Sequence, residues 1–340
     1  MKFSKRPRKS FNIATESFVQ TKPMAESGSS PLLVESKFES LKIDRWAHEQ
    51  KDYLRSLLAE HGAILFRGFA VSDVSDFEAF IVEAFSESLS YQERSSPRQQ
   101  VKGNVYTSTE QPCEDEIFLH NEQSYNLTFP LKILFYCHQQ PDSGGETPIA
   151  DCRRVYSRLS DEVIQAFLQK KYCYSRNLGS GFGLHWREVF QTDDKAAVEE
   201  YCQKNDILFE WQKGDILRTK QIREAVARHP ETGELCWFNH ATFFHFSTLA
   251  VQYQKQLNSI FSGQNLPNNT CFGNGDSIPS EYLKELRSAY ESEKFSFRWQ
   301  KGDILLLDNI LFSHGRNAFS GSRKVYTGFA QLVNWSQVRT

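Results

Sequence analysis

Apolar and polar positions recur along this chain with two different periods, and the changes of period mark out its elements. Over Trp46 to Leu58, residues Trp46, Tyr53, Leu54, Leu57 and Leu58 share one helical face, and Gly62 ends the pattern. The continuous apolar run Ala63-Ile64-Leu65-Phe66 follows at once and predicts a strand. From Ser72 to Phe85 the helical period returns, with Phe77, Phe80, Ile81 and Phe85 spaced for burial. Beyond it the chain turns strand-rich, and Ile133 to Cys137, bounded by Pro130 and Pro141, predicts a buried strand. Helices are expected over Asp161 to Gln169 and Asp194 to Gln203, both in an insert, and over Leu249 to Phe261 and Ser280 to Ser292, the last capped by Ser280. Strand character resumes at Phe295 to Trp299 and Ile304 to Leu307. Strands at both ends with helices between them predict an α+β fold with a mainly β core.

The heptapeptide Trp-Gln-Lys-Gly-Asp-Ile-Leu occurs at Trp211 to Leu217 and again at Trp299 to Leu305. A repeat architecture needs a sustained period, so this pair reads as two similar Lys-Gly-Asp turns. Residues 1–30 read as a flexible tail, and 31–340 as one domain. The basic opening Lys2, Lys5, Arg6, Arg8 and Lys9 suits a solvated segment, and Pro23, Gly28, Ser29, Ser30 and Pro31 suit a linker into the first strand.

Composition narrows the function classes. The chain has 340 residues and a formal charge of −2, which gives no global attraction to nucleic acid or to anionic membranes. No apolar stretch approaches the roughly 20 residues that span a bilayer, and the N-terminus lacks the apolar core of a secretory signal, so a cytoplasmic protein is expected. Seven cysteines, scattered without a Cys-x-x-Cys pair, fit reduced thiols. Three matches to the glycosylation sequon, at Asn126, Asn268 and Asn334, are then chance.

The residues that carry chemistry lie far apart. On an extended strand His120 and Glu122 face the same way while Asn121 faces away. His314 follows the apolar Ile304 to Leu307 and is the natural third member of a two-histidine, one-carboxylate set, which binds one face of an iron ion and leaves three positions open. Gly144-Gly145-Glu146-Thr147-Pro148 and Arg323 add a threonine hydroxyl and a planar guanidinium, the parts of a carboxylate socket.

The segments His120 to Tyr125, Gly144 to Asp151 and His314 to Arg323 resemble the TauD/TfdA superfamily of Fe(II)- and 2-oxoglutarate-dependent dioxygenases, and within it the SyrP-like and clavaminate-synthase-like branch. Gly62 to Phe69, Asn104 to Glu110 and Trp237 to His240 extend the likeness across nearly the whole chain from about residue 30. The resemblance implies a double-stranded β-helix, a cupin-like jelly roll, decorated by helices. It implies Fe(II) on His120, Glu122 and His314, 2-oxoglutarate held through its distal carboxylate by Arg323 with help from Thr147, and O2 as oxidant. Glu122 stands where many members carry Asp, and related halogenases carry a small residue there, so hydroxylation or desaturation is expected rather than halogenation. The implied substrate is an amino-acid-like small molecule, free or tethered to a carrier protein, in natural-product biosynthesis. The alternatives are a taurine-type catabolic oxidation and a noncatalytic jelly-roll binding protein. Assembly into a homo-oligomer stays open.

Other residues carry weaker readings. Tyr106, Thr107 and Ser108 offer hydroxyls to a polar substrate or to strand packing, and Ser124 continues the alternation toward the metal face. His138 is a second contact for 2-oxoglutarate, while Arg316 either binds a carboxylate or braces its loop through a salt bridge. His240 and His245 read as satisfied, partly buried histidines. Arg176, Trp186 and Arg187 belong either to a mobile lid or to an ordinary surface loop.

Overall fold

A computed structural model describes residues 18–26, 28–90, 93, 98–108, 111–261 and 265–340. The basic residues 2–9 lie outside the described residues.

Four strands form the centre of an eight-stranded sheet, in the order Ala63–Arg67, Ile304–Asp308, Thr128–Gln139 and Lys324–Asn334. All three contacts between them are antiparallel, with Leu305 opposite both Leu65 and Phe135, and Phe329 opposite Ile133. Leu32–Ser36 adds to Ala63–Arg67 in parallel, joined by helices that cover one face of the sheet. Alternation along Thr128–Gln139 then divides the core. Ile133, Phe135 and Cys137 pack with Leu305, Leu307 and Phe312 on one side, while Leu134 and Tyr136 pack with Leu306, Phe66, Trp46 and Phe80 on the other. Each such side chain contributes roughly 1.5–3 kcal/mol by leaving water. Across the first side lies a three-stranded sheet, Ile117–His120, Phe312–Arg316 and Ile149–Asp151, which carries the candidate site.

Several local expectations change. The helix expected over Trp46 to Leu58 is two, Ile43–Glu49 and Lys51–His61, broken at Gln50. Val74–Phe85 starts where Asp73 accepts from Ser75 N and Asp76 N, as a capping carboxylate should. Ser280 is the first residue of Ser280–Glu293 rather than its cap: Pro279 holds that position and the Ser280 hydroxyl turns to Glu281. Phe295 to Trp299 is no strand, since only Phe295 bridges to Ile149.

The described residues of the expected linker are folded. Val19–Pro23 pairs antiparallel with Leu32–Ser36, and buried Ser29 donates to Glu293 Oε2 and accepts from Asp151 N. The insert also holds an antiparallel sheet that the pattern did not show, in the order Ile207–Gln212, Ile216–Arg223, Tyr172–Leu178 and Asn268–Phe272. Its inner face mixes buried Thr219, Gln221 and Arg176 with Tyr172, Tyr174 and Leu217, which breaks the apolar period on the two central strands, although Ile207, Phe209 and Trp211 do alternate along the edge strand. The two Lys-Gly-Asp segments are turns, with Gly214 and Gly302 at φ +81° and +92°. Seven free cysteines remain in the folded chain.

Candidate metal centre and carboxylate socket

Ligand atoms of His120, Glu122 and His314 all lie within 4.8 Å of one another in a buried cluster. Strand alternation is not what aligns the first two. The strand ends at His120, and Glu122 sits in the turn that follows, where Gln123 takes φ +54°. Two asparagine amides hold that turn. Asn309 accepts from Glu122 N at 2.7 Å and donates to Glu122 O and Pro130 O, while Asn121 donates to the carbonyls of Asn309 and Phe312. Asn121 thus faces away from the cluster, as expected, but its role is to tie the first ligand segment to the strand that carries His314. A cross-strand pairing of His314 with His120 completes the alignment.

Electrostatics at the cluster favour a bound cation. Burial pulls both His120 and His314 below the usual imidazole range, so both rings are neutral. His120 Nδ1 lies 2.9 Å from Phe118 O, which places the proton there and leaves Nε2 as a lone-pair donor. His314 Nε2 faces Glu122 Oε2 at 3.9 Å, and because burial keeps the ring neutral this is no ion pair; in the tautomer with the proton on Nδ1 the Nε2 lone pair would converge with the carboxylate. Facing acceptor atoms of this kind suit a divalent metal. Arg98 donates to the same Glu122 oxygen at 2.8 Å from within the protein. Nothing in its polar surroundings in the sequence signals that contact.

Aromatic side chains wall the cluster. Phe243 stacks on the His120 ring at 4.3 Å and Phe135 packs on His314 at 5.0 Å. His240 is buried beside them, 5.7 Å from the His120 ring, and its Nδ1 meets the Ser124 hydroxyl. Ser124 is therefore turned to His240 and fully buried, not aimed at a metal ligand. His245 caps the turn Phe246–Thr248 through Ser247 N.

The socket forms beside this cluster. Arg323 donates from Nε to Gly145 O at 2.8 Å, from Nη1 to Ser108 Oγ at 3.2 Å and from Nη2 to Thr147 Oγ1 at 3.4 Å. Trp299 Nε1 also points at Thr147 Oγ1. Burial pulls the guanidinium down to about 10, helped by like charge from Arg316, and it stays a cation at neutral pH. No carboxylate pairs with Arg323 among the described residues. Its backbone support depends on glycine: Gly144 and Gly145 take φ +67° and +69°, and a Cβ on Gly144 would fall 2.2 Å from Ala318 O.

Ser108, read from sequence as a substrate contact, thus belongs to the Arg323 socket. Tyr106 is buried against Phe329, and Thr107 Oγ1 accepts from Gln99 N. Tyr106 also lines a cavity of about 500 Å³ with Gln100, Asn104, Gln191 and Tyr201. His138 is misplaced by the sequence reading. Its parity on Thr128–Gln139 is that of Tyr136, and it packs on Tyr136 and Tyr326 on the face opposite Phe135 and Cys137. Arg316 braces a loop, as one of its two readings had it, but through the carbonyls of Gln111, Pro112 and Asp115 rather than a salt bridge. The lid reading fails at two residues. Arg176 is buried against Glu93, and Trp186 is fully buried in its own small core.

Residues 21–328 match the taurine catabolism dioxygenase TauD, TfdA family. The chain belongs to this family. It is 40% identical over 305 residues to the dapdiamide synthesis protein DdaC of Enterobacter agglomerans, covering 89% of this chain and 92% of that protein. A clavaminate synthase-like protein of Arabidopsis thaliana is 33% identical over 287 residues, covering 81% and 83%. Among solved structures, PvcB, described as an Fe, α-ketoglutarate dependent oxygenase from an isonitrile synthetic pathway, superposes with a TM-score of 0.55 at 16% identity, covering 99% of this chain and all of that one. A taurine dioxygenase from Burkholderia xenovorans gives 0.52 at 16% identity, covering 92% and 89%. These likenesses give this TauD/TfdA member the family's oxygenase fold, with mixed sheets and helices.

Proposed function

We propose that this protein is an Fe(II)- and 2-oxoglutarate-dependent dioxygenase that hydroxylates an unactivated carbon of an amino-acid-like small molecule in natural-product biosynthesis. One observation carries the reading: a buried pair of neutral histidines and a carboxylate lies beside an arginine that is desolvated and has no carboxylate partner among the described residues. His120, Glu122 and His314 would hold the iron. Arg323 would grip the distal carboxylate of 2-oxoglutarate, with Thr147 and Ser108 supplying hydroxyl contacts. The eight-stranded and three-stranded sheets facing each other across one core support the double-stranded β-helix reading.

When bound, iron with 2-oxoglutarate and O2 supplies the oxidation of a C–H bond coupled to formation of succinate and carbon dioxide. The chain's residues position and enclose. Asn121 and Asn309 fix the ligand turn, so the carboxylate does not have to be ordered when the metal arrives. Phe135 and Phe243 exclude water from the imidazoles, and Arg323 sets the register of the co-substrate. The cavity beside Tyr106 is lined by Gln100, Asn104, Thr192, Tyr201 and the Glu93 carboxylate, a lining suited to a polar molecule. Similarity to the dapdiamide synthesis protein supports biosynthesis over taurine-type catabolism. The complete metal and socket set argues against a noncatalytic binding protein.

Anaerobic addition of Fe(II) and then 2-oxoglutarate to metal-free protein should produce the visible charge-transfer band of the chelate. Amino acids, free and carrier-bound, should then be screened for stimulated succinate formation, with product mass separating hydroxylation from desaturation. A folded, iron-loaded protein that gives no band would overturn the assignment.

A further inference from the structure

On the outer face of the insert sheet, away from the metal centre, Cys173 and Cys271 stand directly opposite each other on the antiparallel strands Tyr172–Leu178 and Asn268–Phe272. Asn177 N donates to Pro267 O and Gly273 N to Lys171 O, so by alternation Cys173 and Cys271 form a hydrogen-bonded pair with Cα atoms about 5.5 Å apart. That separation lies inside the range a disulfide requires, and both Cβ atoms leave the sheet on the same side. Cys271 is half-buried, and both sulfurs open on a cavity of about 630 Å³ that also exposes Lys220 and Arg218. Lys220 is opposite Ser175, two positions from Cys173, and so shares the face of the pair.

We propose that Cys173 and Cys271 form a peroxide-reactive dithiol that closes reversibly to a cross-strand disulfide. Cys271 is the attacking sulfur. The hydrogen bond from Cys173 pulls its thiol below the ordinary range, Lys220 adds to the effect, and the same contact with burial raises Cys173. In the first step the Cys271 thiolate attacks one oxygen of hydrogen peroxide, the O–O bond breaks, and hydroxide leaves to take up the thiol proton as water. The resulting sulfenic acid is then attacked by Cys173 sulfur. The S–O bond breaks, a second water leaves, and the S–S bond forms, so two thiols and one peroxide give one disulfide and two waters. The other cysteines do not share this arrangement. Cys137, Cys152, Cys202 and Cys236 are buried with thiols raised by desolvation, and Cys113 is exposed but has no cysteine across a strand.

The test treats the folded, metal-free protein with equimolar hydrogen peroxide, quenches free thiols by alkylation, and maps peptides with and without reductant. The expected result is a single link between the Cys173 and Cys271 peptides, loss of two titratable thiols, and recovery of both with dithiothreitol. In the wild type, Cys271 should react with a disulfide probe at least about tenfold faster than the buried cysteines. The Cys173→Ser variant should stop at a sulfenic acid on Cys271 that dimedone captures, and Cys271→Ser should yield none on Cys173. A link through Cys113, oxidation of Cys271 to the sulfinic acid without cross-linking in the wild type, or equal reactivity of all seven thiols would overturn the proposal. The mapping uses unmutated protein, so it stands even where a serine variant folds poorly.

Discussion

Replacing Arg323 tests the socket most directly. Arg323→Leu keeps much of the aliphatic volume and removes the guanidinium that reaches Gly145 O, Ser108 Oγ and Thr147 Oγ1. With Nε donating to Gly145 O, the two terminal nitrogens beside the hydroxyls of Ser108 and Thr147 form the edge that would meet a carboxylate. A carboxylate docked there would be desolvated, and truncating one partner of such a charge pair costs about 2–5 kcal/mol. The expected loss in 2-oxoglutarate affinity is therefore roughly 30-fold to several thousand-fold. Arg323→Lys should recover part of it, because an ammonium keeps the charge but cannot form the two-pronged contact. The assay is anaerobic titration of the iron-loaded variant with 2-oxoglutarate, reading the chelate band, alongside circular dichroism and iron stoichiometry to show that fold and metal survive. An Arg323→Leu protein that binds iron normally and 2-oxoglutarate within about threefold of the wild type would refute the socket, since a lost charge pair cannot cost less than about 1 kcal/mol there.

Glu122→Gln should weaken Fe(II) binding by at least about tenfold, measured by ferrous titration, because a neutral amide replaces the one anionic ligand. Glu122→Ala should in addition lower stability by about 1.5–3 kcal/mol in urea denaturation, because it removes the charged hydrogen bond that buried Arg98 donates to Glu122. Asn309→Ala removes three buried hydrogen bonds that hold the Glu122 turn, and a loss of about 3 kcal/mol with weakened iron binding is expected. A variant of unchanged stability would show that the turn holds itself. His245, lowered to about 4 by burial and by Arg287, gives a pH test. Because its folded value lies below the unfolded one, the unfolded chain binds the extra proton, so stability is full above pH ~6.5 and falls as pH drops toward about 4. His245→Asn, which keeps a capping acceptor, should flatten that acid limb by on the order of 2 kcal/mol in urea midpoints taken across the window. An acid limb of the same slope would place the titration elsewhere.

Short-range chemistry in the sequence determined much of this protein. The apolar run Ile304 to Leu307 reads as a buried strand, and His120, Glu122, His314 and Arg323 were legible as a set because their side-chain chemistry suits a metal and a carboxylate wherever the chain places them. Tertiary structure decided what depends on partners far along the chain. Asn309 reaches Glu122 across 187 positions and Arg98 reaches it across 24, contacts that no local period encodes. Ser108 became a socket residue only because Lys324–Asn334 pairs beside Val105–Thr107 and brings Arg323 to it. His138 was assigned to the wrong side because closeness to the Gly144-Gly145 turn in sequence does not set the face of a strand, which parity with Tyr136 does. The insert sheet stayed hidden for a related reason. Its inner face sets the Arg176, Gln221 and Glu93 cluster among Tyr172, Tyr174 and Leu217, so polar residues interrupt the apolar alternation of its two central strands.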